Sequence, residues 1–237
     1  MRTSAAVLLA ATLLTACDRL PGRPQEADRP LRPRDVMSFA QLYGENCAGC
    51  HGANGMLGPA TALANPTYMA WADDAVLRRA ITQGGVPGTS AHAFAISAGG
   101  SLTDAQIDAL IHEMRAQWTT TPAPSGLPPY AGDGGGDVGR GATLFAQRCG
   151  SCHDPNGKGT PYGGSVTDAA YLTLVSDQAL RTAVVAGRPD LGMPDWRSAT
   201  PWPPLTPQQV SDLVAWMASH RKGGACATEG SPGAGSC

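Results

Sequence analysis

Residues 47–51 read Cys-Ala-Gly-Cys-His, and residues 149–153 read Cys-Gly-Ser-Cys-His. Cys-x-x-Cys-His is the attachment motif of c-type haem, in which both cysteines form thioethers with the haem and the histidine reaches the iron. Two copies predict two covalently bound haem c groups. The attaching cysteines are then Cys47, Cys50, Cys149 and Cys152, and the proximal iron ligands are His51 and His153.

Cys-x-x-Cys pairs also occur as redox disulfides and as halves of zinc sites. A structural zinc site needs two further ligands near such a pair. No such additional pair is evident in either half of this sequence. The haem interpretation is therefore preferred at both motifs.

The surroundings of the two motifs repeat at an offset of about 102 residues, which indicates two related domains. We predict domains at residues 36–118 and 137–222, joined by a Pro/Gly-rich linker at 119–136 whose length leaves their mutual packing open. A terminal helix is predicted in each half, with N-caps at Thr103 and Thr206. Its apolar residues recur at helical spacing and are Ile107, Leu110, Ile111 and Met114, then Val210, Leu213, Val214 and Met217.

Each half thus follows the order helix, haem motif, Gly-rich loop, helix, ligand loop and terminal helix. This order resembles the class I cytochrome c domain over nearly its whole length, twice. The resemblance implies an all-α fold of two tandem class I cytochrome c domains, each wrapped round its haem, with crossing first and last helices. We expect Tyr43 and Phe145 on the first helices to approach the apolar faces of the terminal helices.

The second half offers a methionine as the sixth iron ligand. Residues 187–196 resemble the family's ligand loop, in which a Met-Pro pair follows a glycine-rich turn. Met193 lies 40 residues after His153. The resemblance therefore implies that Met193 is the second axial ligand of the haem in the second half, which we call haem 2; the haem of the first half is haem 1.

The first half lacks the Met-Pro pair, because Ala91 and His92 occupy the corresponding positions. We predict His92 as the second axial ligand of haem 1, which would give it a lower reduction potential than the Met193 site. Two alternatives stay open. In the first alternative, His92 is exposed and the haem beside it is five-coordinate. In the second, Met69 is the ligand, although its match with Leu172 in the repeat favours a core position.

Residues 1–17 have the pattern of a signal peptide and are too short to span a bilayer. Their end, Leu14-Thr15-Ala16-Cys17, resembles the bacterial lipobox, which implies lipidation of Cys17; the alternative is an ordinary secretory signal cut nearby. Residues 18–35 are predicted to be a Pro/Arg-rich tether.

Two further cysteines, Cys226 and Cys237, lie in a Gly/Ala/Ser-rich tail at 223–237 that we predict to be flexible. In an oxidising compartment they can form a disulfide, although nothing in the sequence requires it.

A formal net charge of −2 and the lack of a Lys/Arg-rich run give no support for nucleic-acid binding. The resemblance to class I cytochrome c domains implies an electron carrier, not an enzyme. The resemblance to the lipobox implies that this carrier is tethered to the periplasmic side of the bacterial inner membrane. Its partners would be respiratory or photosynthetic complexes, such as a quinol-oxidising complex and a terminal oxidase. The alternatives are a peroxidase-like enzyme with an open iron at haem 1, and an assembly subunit whose tail recruits another protein.

Overall fold

The computed structural model describes residues 29–84, 92–197 and 202–221. Within these ranges the structure is helical, with two isolated β-bridges and no strand, which confirms the predicted all-α class. No helix there is both long enough and apolar enough to cross a membrane. Cys17, Cys226 and Cys237 lie outside the described residues, so the lipidation and the disulfide stay predictions.

The chain divides after Val36, and both Cys-x-x-Cys-His motifs belong to the part that begins at Met37. Of the predicted tether, residues 29–35 are described and all are exposed. They contain one short 3-10 turn, Pro33–Asp35.

In the first half, the helices are α1 (Phe39–Asn46), α2 (Ala48–His51), α3 (Pro66–Trp71), α4 (Asp74–Gln83) and α5 (Asp104–Trp118), with a 3-10 turn at Ile96–Ala98. The second half repeats them as α6 (Val138–Arg148), α7 (Gly150–His153), α8 (Ala169–Leu174), α9 (Asp177–Ala186) and α10 (Pro207–Ala218), with a 3-10 turn at Pro189–Leu191. The two terminal helices begin as predicted. Thr103 and Thr206 each form a capping box with the glutamine three residues on.

The first and last helices pack against each other in both halves, as the family resemblance implied. In the second half, Phe145 stacks against Trp216 with ring centroids 4.3 Å apart, in a buried cluster that also contains Val214 and Met217. In the first half, Tyr43 packs edge-on against Trp118 at 5.3 Å. The predicted apolar faces are buried, and these two tryptophans add aromatic contacts to them.

The linker at 119–136 is packed between the halves, so their mutual arrangement is defined. The indole Nε1–H of Trp71 donates to the carbonyl oxygen of Pro128 at 2.6 Å, and the Pro128 side chain is fully buried. From the second half, Arg181 donates to the carbonyl oxygens of Pro129 and Tyr130. The linker therefore binds both halves through its backbone.

Candidate haem sites

Each Cys-x-x-Cys-His motif forms a single helical turn directly after the first helix of its half. The amide of Cys47 donates to the carbonyl oxygen of Tyr43, and that of Cys149 to the carbonyl oxygen of Phe145, both at 2.8 Å. A helical turn brings residues three apart to one face, so the two thiols of each motif share a side. This is the arrangement that attachment of one haem through two thioethers requires.

The four motif cysteines form no disulfide with one another in the structure. Before a haem is attached, burial raises the pKa of the Cys47 thiol and of the Cys149 thiol, each to about 11. Among the described residues, no group of three or more His, Cys, Asp and Glu side chains could hold a metal ion. The described part of the chain thus offers no support for the zinc alternative.

Both motif histidines are oriented by a backbone carbonyl. His51 Nδ1–H donates to the carbonyl oxygen of Thr61 at 2.7 Å, and His153 Nδ1–H to that of Gly164 at 2.8 Å. A carbonyl can only accept, so these bonds define the tautomer and leave Nε2 of each ring as the metal-binding atom. Burial also lowers the pKa of His51, which favours the neutral imidazole that binds iron.

Two glycines allow the chain to pass close to the motifs. A Cβ at Gly58 would lie 2.3 Å from the Cys50 carbonyl oxygen, and one at Gly163 would lie 2.8 Å from the Cys152 carbonyl oxygen. The Gly163 Cβ would also come within 2.9 Å of the His153 ring. The sequence alone does not distinguish these glycines from others, because the close approach exists only in the folded chain.

Within the predicted ligand loop of the second half, residues 187–193 are closed by paired backbone hydrogen bonds. The amides of Arg188 and Met193 each donate to the other's carbonyl oxygen at 2.9 Å. Gly192 takes a left-handed conformation with φ 80°, which ends the 3-10 turn at Pro189–Leu191. The loop therefore holds Met193 at a defined position, with its side chain partly buried.

Trp196, three residues beyond Met193, is buried, yet its indole N–H has no hydrogen-bond partner among the described residues. Buried donors are rarely unpaired, so this one indicates an acceptor that is not part of the chain. A haem carboxylate is such an acceptor. Together with the thiols and the oriented imidazole, this shows that the residues of the second half fit the group.

His92 is exposed and packs against the ring of Phe94 at 4.5 Å. Ala91 and the preceding residues of that loop lie outside the described residues, so coordination by His92 stays a prediction. Met69 is 1% exposed, as is its counterpart Leu172. The core position predicted for Met69 is thereby confirmed.

The cytochrome c family model matches residues 40–118 and 138–221, one match over each motif. The chain belongs to the cytochrome c family, and it carries two covalently bound haem c groups.

The chain is similar to two kinds of curated relative. The chain is 26% identical over 190 residues to the cbb3-type cytochrome c oxidase subunit FixP of Bradyrhizobium sp. (strain ORS 278), covering 77% of this chain and 59% of FixP. It is 31% identical over 153 residues to the cytochrome bc1 complex cytochrome c subunit of Mycobacterium bovis (strain ATCC BAA-935 / AF2122/97), covering 62% of this chain and 52% of that protein. The chain thus spans between half and three fifths of these relatives' lengths. Neither is named as a peroxidase.

Proposed function

We propose that this protein is a dihaem electron carrier that passes electrons between membrane-bound respiratory complexes, as a free shuttle or as a haem subunit of one of them. The observation that carries the proposal is the repeated Cys-x-x-Cys-His turn, in which each histidine is oriented through Nδ1 by a backbone carbonyl. The relatives are named as subunits of a cbb3-type oxidase and of a bc1 complex, which supports a quinol-oxidising donor and a terminal-oxidase acceptor.

Bound haem c supplies a one-electron redox centre. We assign its attachment in the first half to Cys47 and Cys50, and in the second half to Cys149 and Cys152. His51 and His153 are assigned as proximal ligands, since each ring has its Nε2 left for iron. The carbonyl partners of Nδ1 keep both rings in one orientation, as a carrier that must change charge without rearranging requires.

The second axial ligands are assigned to Met193 and His92. Met193 is supported by the closed loop that holds it. His92 is supported by its position in the repeat, where the first half has no Met-Pro pair. With both ligands in place neither iron has an open site, and this favours electron transfer over chemistry at the metal.

A lipid anchor at Cys17 would place the haem domains on the periplasmic side of the inner membrane. The assignment is supported by the lipobox-like sequence that ends at Cys17. Labelling of the full chain with radioactive palmitate tests it, with Cys17→Ser as the control that should lose the label. Label that persists in this variant would contradict the assignment.

Electron transfer is tested on the full chain, produced in a bacterium that attaches haem c. We expect two haems per chain, and one in the paired variants Cys47→Ser/Cys50→Ser and Cys149→Ser/Cys152→Ser. Membranes containing a bc1-type complex should reduce the protein with quinol, and membranes containing a cbb3-type oxidase should reoxidise it. Failure of both reactions, or rapid turnover of peroxide with a reducing donor, would contradict the proposal.

A further inference from the structure

The loop that carries Met193 is bound to the first half of the chain by a charged pair. Arg188 donates through its two terminal nitrogens to the carbonyl oxygens of Gly58 at 2.8 Å and Ala60 at 3.1 Å. Asp190 accepts from Arg188 and also from the amide of Leu57, at 2.8 Å. Both charged residues of this short loop therefore contact residues 57–60.

Residues 57–61 are the segment that orients the histidine of the first motif. The carbonyl oxygen of Thr61 accepts from His51 Nδ1, and the amide of Ala60 donates to the carbonyl oxygen of Cys50 at 2.9 Å. Leu57 has a φ of 65°, a conformation that branched side chains rarely adopt. The bond from its amide to Asp190 helps to hold that conformation.

On its other side, Arg188 is bound to Met193 itself by the paired backbone hydrogen bonds. A series of contacts thus connects the two sites. His51 is bound to Thr61, the neighbouring Ala60 is bound to Arg188, and Arg188 is bound to Met193. Arg188 therefore contacts both segments: its guanidinium binds the carbonyl oxygens of Gly58 and Ala60, and its backbone binds Met193.

The Arg188–Asp190 pair is well buried, with its side chains 14% and 1% exposed. A buried charge pair is retained at low cost only when its remaining donors and acceptors are satisfied, and here the carbonyls and the Leu57 amide satisfy them. In the sequence repeat the corresponding residues are Val86 and Gly88. The pair is therefore not a requirement of each domain.

We infer that Arg188 is a positioning residue that couples the two haem sites, because it holds the Met193 loop against the segment that orients His51. This inference rests on the proposed assignment of Met193 as an iron ligand. Loss of the contacts between Arg188, Asp190 and residues 57–60 would release the Met193 loop and the 57–61 segment together. The state of one site would then bias ligand geometry at the other, as linkage between sites requires.

The test compares the haem-loaded wild type with Arg188→Gln, Arg188→Lys and Asp190→Asn, and with Arg197→Gln as a control. Arg197 is a more exposed arginine, beyond Met193, whose ion pair is with Asp195. The readouts are hydrogen exchange of peptides covering 57–61 and 187–193, the near-infrared band of methionine-ligated ferric haem, and the potential of haem 2. Met193→Leu identifies the band.

For Arg188→Gln we expect exchange about tenfold faster in both segments, because hydrogen bonds to a charged donor are lost. The methionine band should weaken and the potential of haem 2 should shift. Arg188→Lys should recover part of the protection, and Arg197→Gln should match the wild type. Wild-type exchange, band and potential in Arg188→Gln would overturn the inference.

If Arg188→Gln does not accumulate with two haems, Asp190→Asn decides the question. It keeps the side-chain size and should give a smaller acceleration in the same two segments, whereas unchanged exchange would overturn the inference. A wild-type spectrum that lacks the methionine band, or a band that persists in Met193→Leu, would instead overturn the ligand assignment. The inferred coupling between the two haem sites would then be overturned as well.

Discussion

Arg140 donates through Nε to Oδ2 of Asp212 at 2.8 Å, which joins the first and last helices of the second half. A second bond runs from the guanidinium to Oδ1 at 2.8 Å, and Gln208 and the amide of Asp137 also donate to this oxygen. The Asp212 side chain is only 4% exposed. In the repeat, the first half has Ser38 and Ala109 at the positions of Arg140 and Asp212, so this bond distinguishes the two halves.

These bonds predict that acid destabilises the second half. The hydrogen bond from Arg140 holds the pKa of the Asp212 carboxyl well below its usual range. A lowered pKa in the folded state contributes stability above the ordinary aspartate pKa, and this contribution is lost as the pH falls toward the folded value. Asp212→Asn should therefore lower the unfolding temperature at neutral pH, by about 5 °C, and the difference should shrink in acid.

Thermal unfolding of the haem-loaded protein between neutral and strongly acidic pH measures this effect. Asp74→Asn is the control, since Asp74 pairs with Arg115 in the first half but is 70% exposed and should contribute little. An equal loss at all pH values for Asp212→Asn would contradict the prediction.

Substitution of Gly163 is expected to disturb the second haem site specifically. The Cβ of Gly163→Ala would lie within 3 Å of the Cys152 carbonyl and the His153 ring, so the chain must shift beside the carbonyl that orients His153. Haem content should fall from two toward about one per chain, because the shift displaces the attaching Cys152 as well as the histidine ligand. Gly164→Ala is the matched control, since its Cβ would meet no atom within 4 Å. Haem content is measured as the pyridine haemochrome. Equal content in the two variants would show that the close packing of Gly163 against Cys152 and His153 is unimportant.

Truncation of Leu213 tests the helix crossing of the second half. Leu213 is 1% exposed in α10 and lies in the same cluster as Phe145 and Trp216. Leu213→Ala should lower the free energy of unfolding by about 3 kcal/mol, through lost burial and the cavity left behind. Leu174→Ala removes the same atoms from a 53% exposed site and should cost little. Urea denaturation of both variants gives the comparison, and similar midpoints would contradict the prediction.

The two irons are expected to differ in ligation and potential. Near-infrared magnetic circular dichroism of the oxidised protein should show one His/His and one His/Met signal, and His92→Ala should abolish the first. Haem 1 should then have the lower potential, because methionine raises the potential relative to histidine. His112→Ala, at an exposed position on α5, should leave both signals unchanged. Two His/Met signals in the wild type would discard His92, and a high-spin signal would indicate an open iron.

Local sequence patterns were sufficient for much of this structure. The helical class, the N-caps at Thr103 and Thr206, the buried faces of the terminal helices and the core position of Met69 all depend on residues within a few turns of one another. Periodicity and capping are local properties, so a sequence displays them directly. The ring contacts of Trp118 with Tyr43 and of Trp216 with Phe145 were not predicted, because these rings meet only after the first and last helices have packed together.

By itself, then, the sequence determined the two haem motifs, the tandem repeat and the helices that surround each motif. Only the tertiary structure decided which carbonyl orients each histidine, how the linker fills the gap between Trp71 and Arg181, and that Arg188 reaches from the Met193 loop to Ala60. The physical reason is sequence distance. Arg188 and Ala60 are 128 positions apart, and no periodicity relates a guanidinium to a backbone carbonyl that becomes its neighbour only when the two halves pack together.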